Sequence, residues 1–100
     1  MLYPSQKRPV AFNATANELV TVGSTTTELD AEANLIFDGT NLGIGETSPD
    51  APLHITSNTP IIVFDESDAS QEYRIGSFGG TFAIYDSTDS AYRVAIDGNG

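Results

Sequence analysis

Cysteine is absent, and with it go disulfide cross-links, thiolate nucleophiles and Cys-ligated zinc; the redox compartment stays open. Positive charge is scarce: 4 Lys and Arg stand against 14 Asp and Glu, for a formal net charge of −10. Such a chain repels nucleic-acid phosphates and anionic membrane surfaces, so neither is an expected partner. Long apolar runs are missing as well. None approaches the ~20 residues of a transmembrane helix, and no apolar stretch of the secretory kind follows the basic pair Lys7-Arg8. The expectation is a soluble chain. Apolar bulk is low: 39% of 100 residues, against roughly 45–50% in a typical globular domain, a count that includes Gly. A chain of this length buries only about 60–65% of its unfolded surface. So thin a core points to association with further chains.

What is present is β punctuation. From Leu35 onward, short runs of β-branched and aromatic residues are separated by Gly, Pro, Asn, Asp and Ser, the pattern of short strands and turns. Candidate strands are 35–37, 42–44, 53–56, 61–64, 73–78, 81–85 and 92–96; helical periodicity is nowhere convincing. Several strands alternate, with Leu53 and Ile55 opposed to His54, Phe82 and Ile84 to Ala83 and Tyr85, and Val94 and Ile96 to Arg93 and Ala95. One face of each is built for burial. Asp38-Gly39 is a tight-turn signal, and Gly79-Gly80 between two candidate strands is the clearest hairpin signal in the chain. Residues 1–34 are poor in bulky apolar side chains apart from Leu19-Val20-Thr21-Val22, one short candidate strand, and read as an extended arm. Lys7 and Arg8 carry half of the positive charge and are the arm's candidate docking residues. The expected domains are therefore an arm, 1–34, and a β-rich part, 35–100.

Phe37-Asp38-Gly39-Thr40-Asn41 is echoed by Ile96-Asp97-Gly98-Asn99-Gly100, 59 residues on (37 to 96). In both places Asp-Gly follows the end of an apolar run. The echo suggests a repeating unit within a longer natural chain.

The segment from Asn34 through Phe37-Asp38-Gly39-Thr40-Asn41-Leu42-Gly43-Ile44-Gly45 to Pro49, followed by Leu53-His54-Ile55, resembles a repeat of bacteriophage tail-fibre and tailspike proteins. That repeat reads approximately F-D-G-x-N-[LV]-G-I-G-x-x-x-P-x-x-x-L-H-[IV]. The match covers residues 34–55 directly, and 56–100 look like the spacer before a next copy. The resemblance implies a structural part of a virion appendage, made in the host cytoplasm and used in host attachment. It implies an all-β chain with short strands in an intertwined trimeric fibre, or a small sandwich or barrel, behind the extended arm. It further implies a homotrimer in which Gly43, Ile44, Gly45, Leu53 and Ile55 pack between chains, and an N-terminal anchor on a baseplate, tail or capsid protein. Met1 and the non-repetitive arm suggest the particle-proximal end. No chaperone or receptor-binding tip is visible. The alternative is a carbohydrate- or receptor-binding β module, and a depolymerase fragment ranks below it.

Catalytic and cofactor signatures are weak throughout. Gly76-Ser77-Phe78-Gly79-Gly80 is not G-x-S-x-G, so His54, the only histidine, lacks a strained nucleophile turn and reads as structural. Gly43-Ile44-Gly45 lacks the third glycine and the helix of a nucleotide loop. The acidic stretches Asp65-Glu66-Ser67-Asp68 and Asp86-Ser87-Thr88-Asp89 match neither EF-hand nor β-roll spacing and read as solvated turns. No catalytic, cofactor or metal residue is expected. Tyr73, Phe78, Phe82, Tyr85 and Tyr92 read as packing area ahead of a sugar-stacking role.

Overall fold

The computed structural model describes residues 15–25 and 27–99. Lys7, Arg8 and the first part of the expected arm lie outside the described residues. The chain is all-β: among the described residues no helix forms and eight strands do. They belong to two units that divide between Ile55 and Thr56.

The first unit holds β1 (Glu18–Val22), β2 (Leu29–Phe37), β3 (Leu42–Ile44) and β4 (Leu53–Ile55), hydrogen-bonded in the order β1-β2-β3-β4. β1 and β2 run antiparallel, with Val22 opposite Leu29 and Val20 opposite Ala31, and β2 pairs antiparallel with β3. The Asp38 carboxylate accepts hydrogen bonds from the amides of Thr40 (2.9 Å) and Asn41 (2.7 Å). This Asx-type cap turns the chain from β2 into β3. Asp97 accepts likewise from the Asn99 amide at 2.9 Å, so the echo extends to this hydrogen bond, though not to the backbone of the turn: Gly39 lies at φ +98° and Gly98 is not in the positive-φ region.

β3 and β4 are parallel, with Leu42 opposite Leu53, Gly43 opposite His54 and Ile44 opposite Ile55. Parallel neighbours usually need a crossover of a dozen or more residues; here 45–52 suffice. Three hydrogen bonds hold this short loop: the Asn41 amide group to the Pro49 carbonyl (3.1 Å), the Leu42 amide to the Pro52 carbonyl (3.0 Å) and the Gly45 amide to the Asn34 carbonyl (2.9 Å). Pro49 is buried beneath it.

The second unit is a four-stranded antiparallel meander, β5 (Ile61–Asp65), β6 (Glu72–Phe78), β7 (Thr81–Asp86) and β8 (Ala91–Ile96), in chain order. Gly79 (φ +54°) and Gly80 (φ +87°) connect β6 to β7, with Phe78 opposite Thr81. Two successive left-handed residues match the twist of the flanking strands, and glycine enters that region without steric cost. The β7–β8 ladder shifts register between Ile84 and Tyr85.

Among the described residues the first strand starts at Glu18, and β2 starts at Leu29 rather than at Leu35, so the expected division between residues 34 and 35 falls inside a strand. Leu29 and Ala31 alternate with Asp30 and Glu32, a polar period of two that pairing with β1 converts into strand, and Ala33 and Asn34 follow in the register shift of that ladder. Among the described residues the buried hydrophobic side chains are Ile36 (4% exposed) and Ala83 (0%).

Candidate functional site

Residues paired across a ladder share a face of the sheet. In the first unit the registers put Val20, Val22, Leu29 and Ala31 together on one face of β1–β2, and Leu35, Phe37, Leu42, Ile44, Leu53 and Ile55 together on one face of β2–β4; the β1–β2 register shift, which sets Leu19 opposite Glu32 but Glu18 opposite Ile36, separates the two groups. Behind the first group lie Leu19, Thr21, Asp30 and Glu32, with the Thr21 hydroxyl donating to the Glu32 carboxylate; behind the second lie Ile36, Gly43 and His54. Both apolar groups are open in the single chain: Val22 is 63% exposed, and Val20, Phe37, Ile44 and Leu53 are about half exposed.

The residues expected to pack between chains divide by role. Ile44, Leu53 and Ile55 sit side by side on the apolar face of β2–β4. Gly43 does not: it is buried, and a Cβ there would overlap the Glu46 carbonyl oxygen of its own loop. Its missing side chain admits the tight crossover. Gly45, at φ +70°, opens that crossover. The glycines thus shape the turn that delivers β4 beside β3, while the isoleucines and Leu53 furnish the exposed surface.

His54 helps hold the same loop. Its Nδ1 is 3.3 Å from the Asp50 amide nitrogen and 3.1 Å from the Asp50 carboxylate, and its Nε2 is 3.9 Å from the Glu46 carboxylate. A bare Nδ1 accepts from the amide; a protonated one donates to the carboxylate. Among the described residues no three His, Asp or Glu side chains gather into a metal-holding group.

In the second unit Ile62 faces Ile75, Phe64 faces Tyr73, Ile75 faces Ile84, Phe82 faces Ile96 and Ile84 faces Val94. These eight side chains form one apolar surface across all four strands. Seven of them are exposed, up to 58% at Phe64. On the opposite face Phe78, Tyr85 and Tyr92 cluster, with centroids 5.1–6.5 Å apart and the Tyr92 ring edge-on to both others. The rings spend their faces and edges on one another, which supports their role as packing area.

At the Asp86 end of the meander the structure departs from the sequence expectation. Asp86 is no solvated turn residue: it ends β7 and is 1% exposed. Its Oδ2 accepts from Arg93 Nη2 (2.6 Å) and Nε (3.1 Å), and its Oδ1 from Gln71 Nε2 (3.0 Å) and the Asp89 amide (3.1 Å). The only sequence signal was an arginine seven residues downstream, too generic to single out. The Arg93 guanidinium, then the Asp89 amide, hold the Asp86 carboxyl below its usual value of 3.8. The amides of Asn41 and Thr40 do the same for Asp38.

Both groups are more acidic folded than unfolded, so their stabilisation is complete above about pH 4 and is lost as pH falls through the depressed folded values. We expect the melting temperature of the native chain to lose more on acidification from about pH 5 to about pH 2 than that of an Asp38→Asn/Asp86→Asn double variant. Taking the difference removes the relief of general repulsion that acid gives to a chain of charge −10. Parallel pH profiles for the two proteins would refute the assignment.

No protein-family model, no curated protein and no solved structure matches the chain.

Proposed function

We propose that this chain is a non-enzymatic structural segment of a virion appendage, the anchor and proximal shaft of a bacteriophage tail fibre or related fibre. In this reading three copies associate as a homotrimer. Residues 1–34, with Lys7 and Arg8, dock on a baseplate, tail or capsid protein, and the β-rich remainder carries position toward a distal receptor-binding part. Ile44, Leu53 and Ile55 pack between copies. The observation that carries the reading is the open apolar surface of both sheets, against two buried hydrophobic side chains among the described residues. Exposed apolar area of this extent marks an interaction surface, and a single thin core is a poor source of stability. The repeat resemblance of residues 34–55 supplies the kind of assembly, and that stretch folds as one tied unit of turn, strand, crossover and strand. The charge of −10 argues against nucleic acid and anionic membrane as partners.

Size-exclusion chromatography with light scattering on the 100-residue chain tests this directly. The expected mass is three times 10.6 kDa; a folded monomer at 10.6 kDa would remove the association on which the reading stands.

A further inference from the structure

We infer that the face of β5–β8 formed by Ile62, Phe64, Tyr73, Ile75, Phe82, Ile84, Val94 and Ile96 is a contact surface between copies of this chain, additional to the surface around Ile44, Leu53 and Ile55. The inference rests on the association reading above and says which surface of the second unit serves it.

Three observations point to a second copy as the occupant. The first is area. Aromatic side chains bury ~150–250 Å² each and branched aliphatic ones somewhat less, so at their fractional exposures the eight present on the order of 600 Å². A standard interface takes roughly 800 Å² from each partner. That is far more than one small ligand or a single stacked sugar would cover, and it is continuous over four strands. The second is charge. The chain carries −10, so two copies approach at least cost through a surface that bears no net charge. The third is the treatment of the one ionised group whose register falls on this face. Asp86 pairs with Tyr73 across the ladder, and its carboxylate is bound by Arg93, which also bridges the exposed Asp89 carboxylate, and is closed off to 1% exposure. An ion pair completed within one chain leaves the adjoining apolar surface free to lose its water without stranding a charge.

Because the chain has no cysteine, a single introduced thiol reports one place only. Val94→Cys lies on the face, and Asp68→Cys, in the exposed β5–β6 connection, is the reference. Thiol reactivity is measured on each variant across a dilution series, with solution mass followed in parallel and strand content by circular dichroism. The expected result is an associated species in which Cys at position 94 reacts about tenfold or more slowly than Cys at position 68, with the protection vanishing on dilution as the mass falls. An associated species with both thiols equally reactive would overturn the inference and leave the association reading standing. A monomer with position 94 reactive would overturn both. Protection that persists in a monomer would mean that the face is covered within one chain, which also overturns the inference. Should Val94→Cys disturb the strand content, Ile62→Cys on the opposite edge strand reads the same face.

Discussion

Ile84→Lys is expected to lower the association constant more than about a hundredfold while leaving the strands intact. An ammonium group buried without a partner costs ~3–5 kcal/mol, and every ~1.4 kcal/mol is a factor of ten. Ile84 lies centrally on the β5–β8 face, opposite Ile75 on one side and Val94 on the other. It is 36% exposed in the single chain, so a lysine there carries its ammonium group out to solvent in the monomer. The check is light scattering over a dilution series, with circular dichroism to verify strand content. Asp68→Lys, in an exposed loop, adds a positive charge to the same acidic chain and is expected to leave the dilution profile in place. Equal profiles for the native chain and Ile84→Lys would show that this face takes no part in association.

Gly76→Val acts on folding instead, and is expected to cost on the order of 3 kcal/mol or more in urea unfolding. Gly76 sits in β6 opposite Ile61 at φ +155°, a conformation L side chains rarely adopt. A Cβ there would overlap the Pro60 carbonyl oxygen and approach the Ile61 Cα to 2.7 Å. The neighbouring Ser77 amide donates to that same Pro60 carbonyl at 3.0 Å, so the backbone cannot retreat without losing a hydrogen bond. Edge strand β5 is where the strain would be released, and with it Ile62 and Phe64 would leave the apolar face. Gly98→Ala is the control: a Cβ there comes no nearer than 3.8 Å to the Gly80 carbonyl, and a change within about 0.5 kcal/mol is expected. Indistinguishable midpoints for the two variants would show that the β5–β6 backbone relaxes more easily than its close contacts imply.

Strand positions were legible wherever β-branched and aromatic runs end in Gly, Pro, Asn or Asp. The candidates 42–44, 53–56, 61–64, 73–78, 81–85 and 92–96 coincide with strands of the structure to within one residue at each end. Local chemistry explains this agreement, since side chains that fit a pleated, half-buried surface cluster between residues that turn the chain. The first half of β2 was not legible in this way. Asp30, Ala31 and Glu32 are poor strand formers, and the ladder to β1, with Val20 and Val22 opposite Ala31 and Leu29, draws them into a sheet; Ala33 and Asn34 fall in the register shift that follows.

The surface proposed for association was partly readable. Alternation placed Phe82 with Ile84 and Val94 with Ile96, and registers then joined these pairs to Ile62, Phe64, Tyr73 and Ile75. The burial of Asp86 was not readable, because it depends on β7 and β8 shifting register between Ile84 and Tyr85. Such a shift leaves an unpaired residue and re-aims side chains, and nothing in Asp86-Ser87-Thr88-Asp89 distinguishes it from a solvated turn.

The amino-acid sequence by itself determined the all-β class, the places of most strands, the Gly79-Gly80 hairpin and the two-residue alternation within single strands, because these follow from the backbone preferences of neighbouring residues. Tertiary structure alone decided that β3 and β4 run parallel over a short crossover admitted by Gly43. It decided too that Asp86 is buried against Arg93 and that the apolar faces stay open in a single chain. Pairing partners and registers are long-range choices, fixed by which strands meet rather than by what any one strand contains.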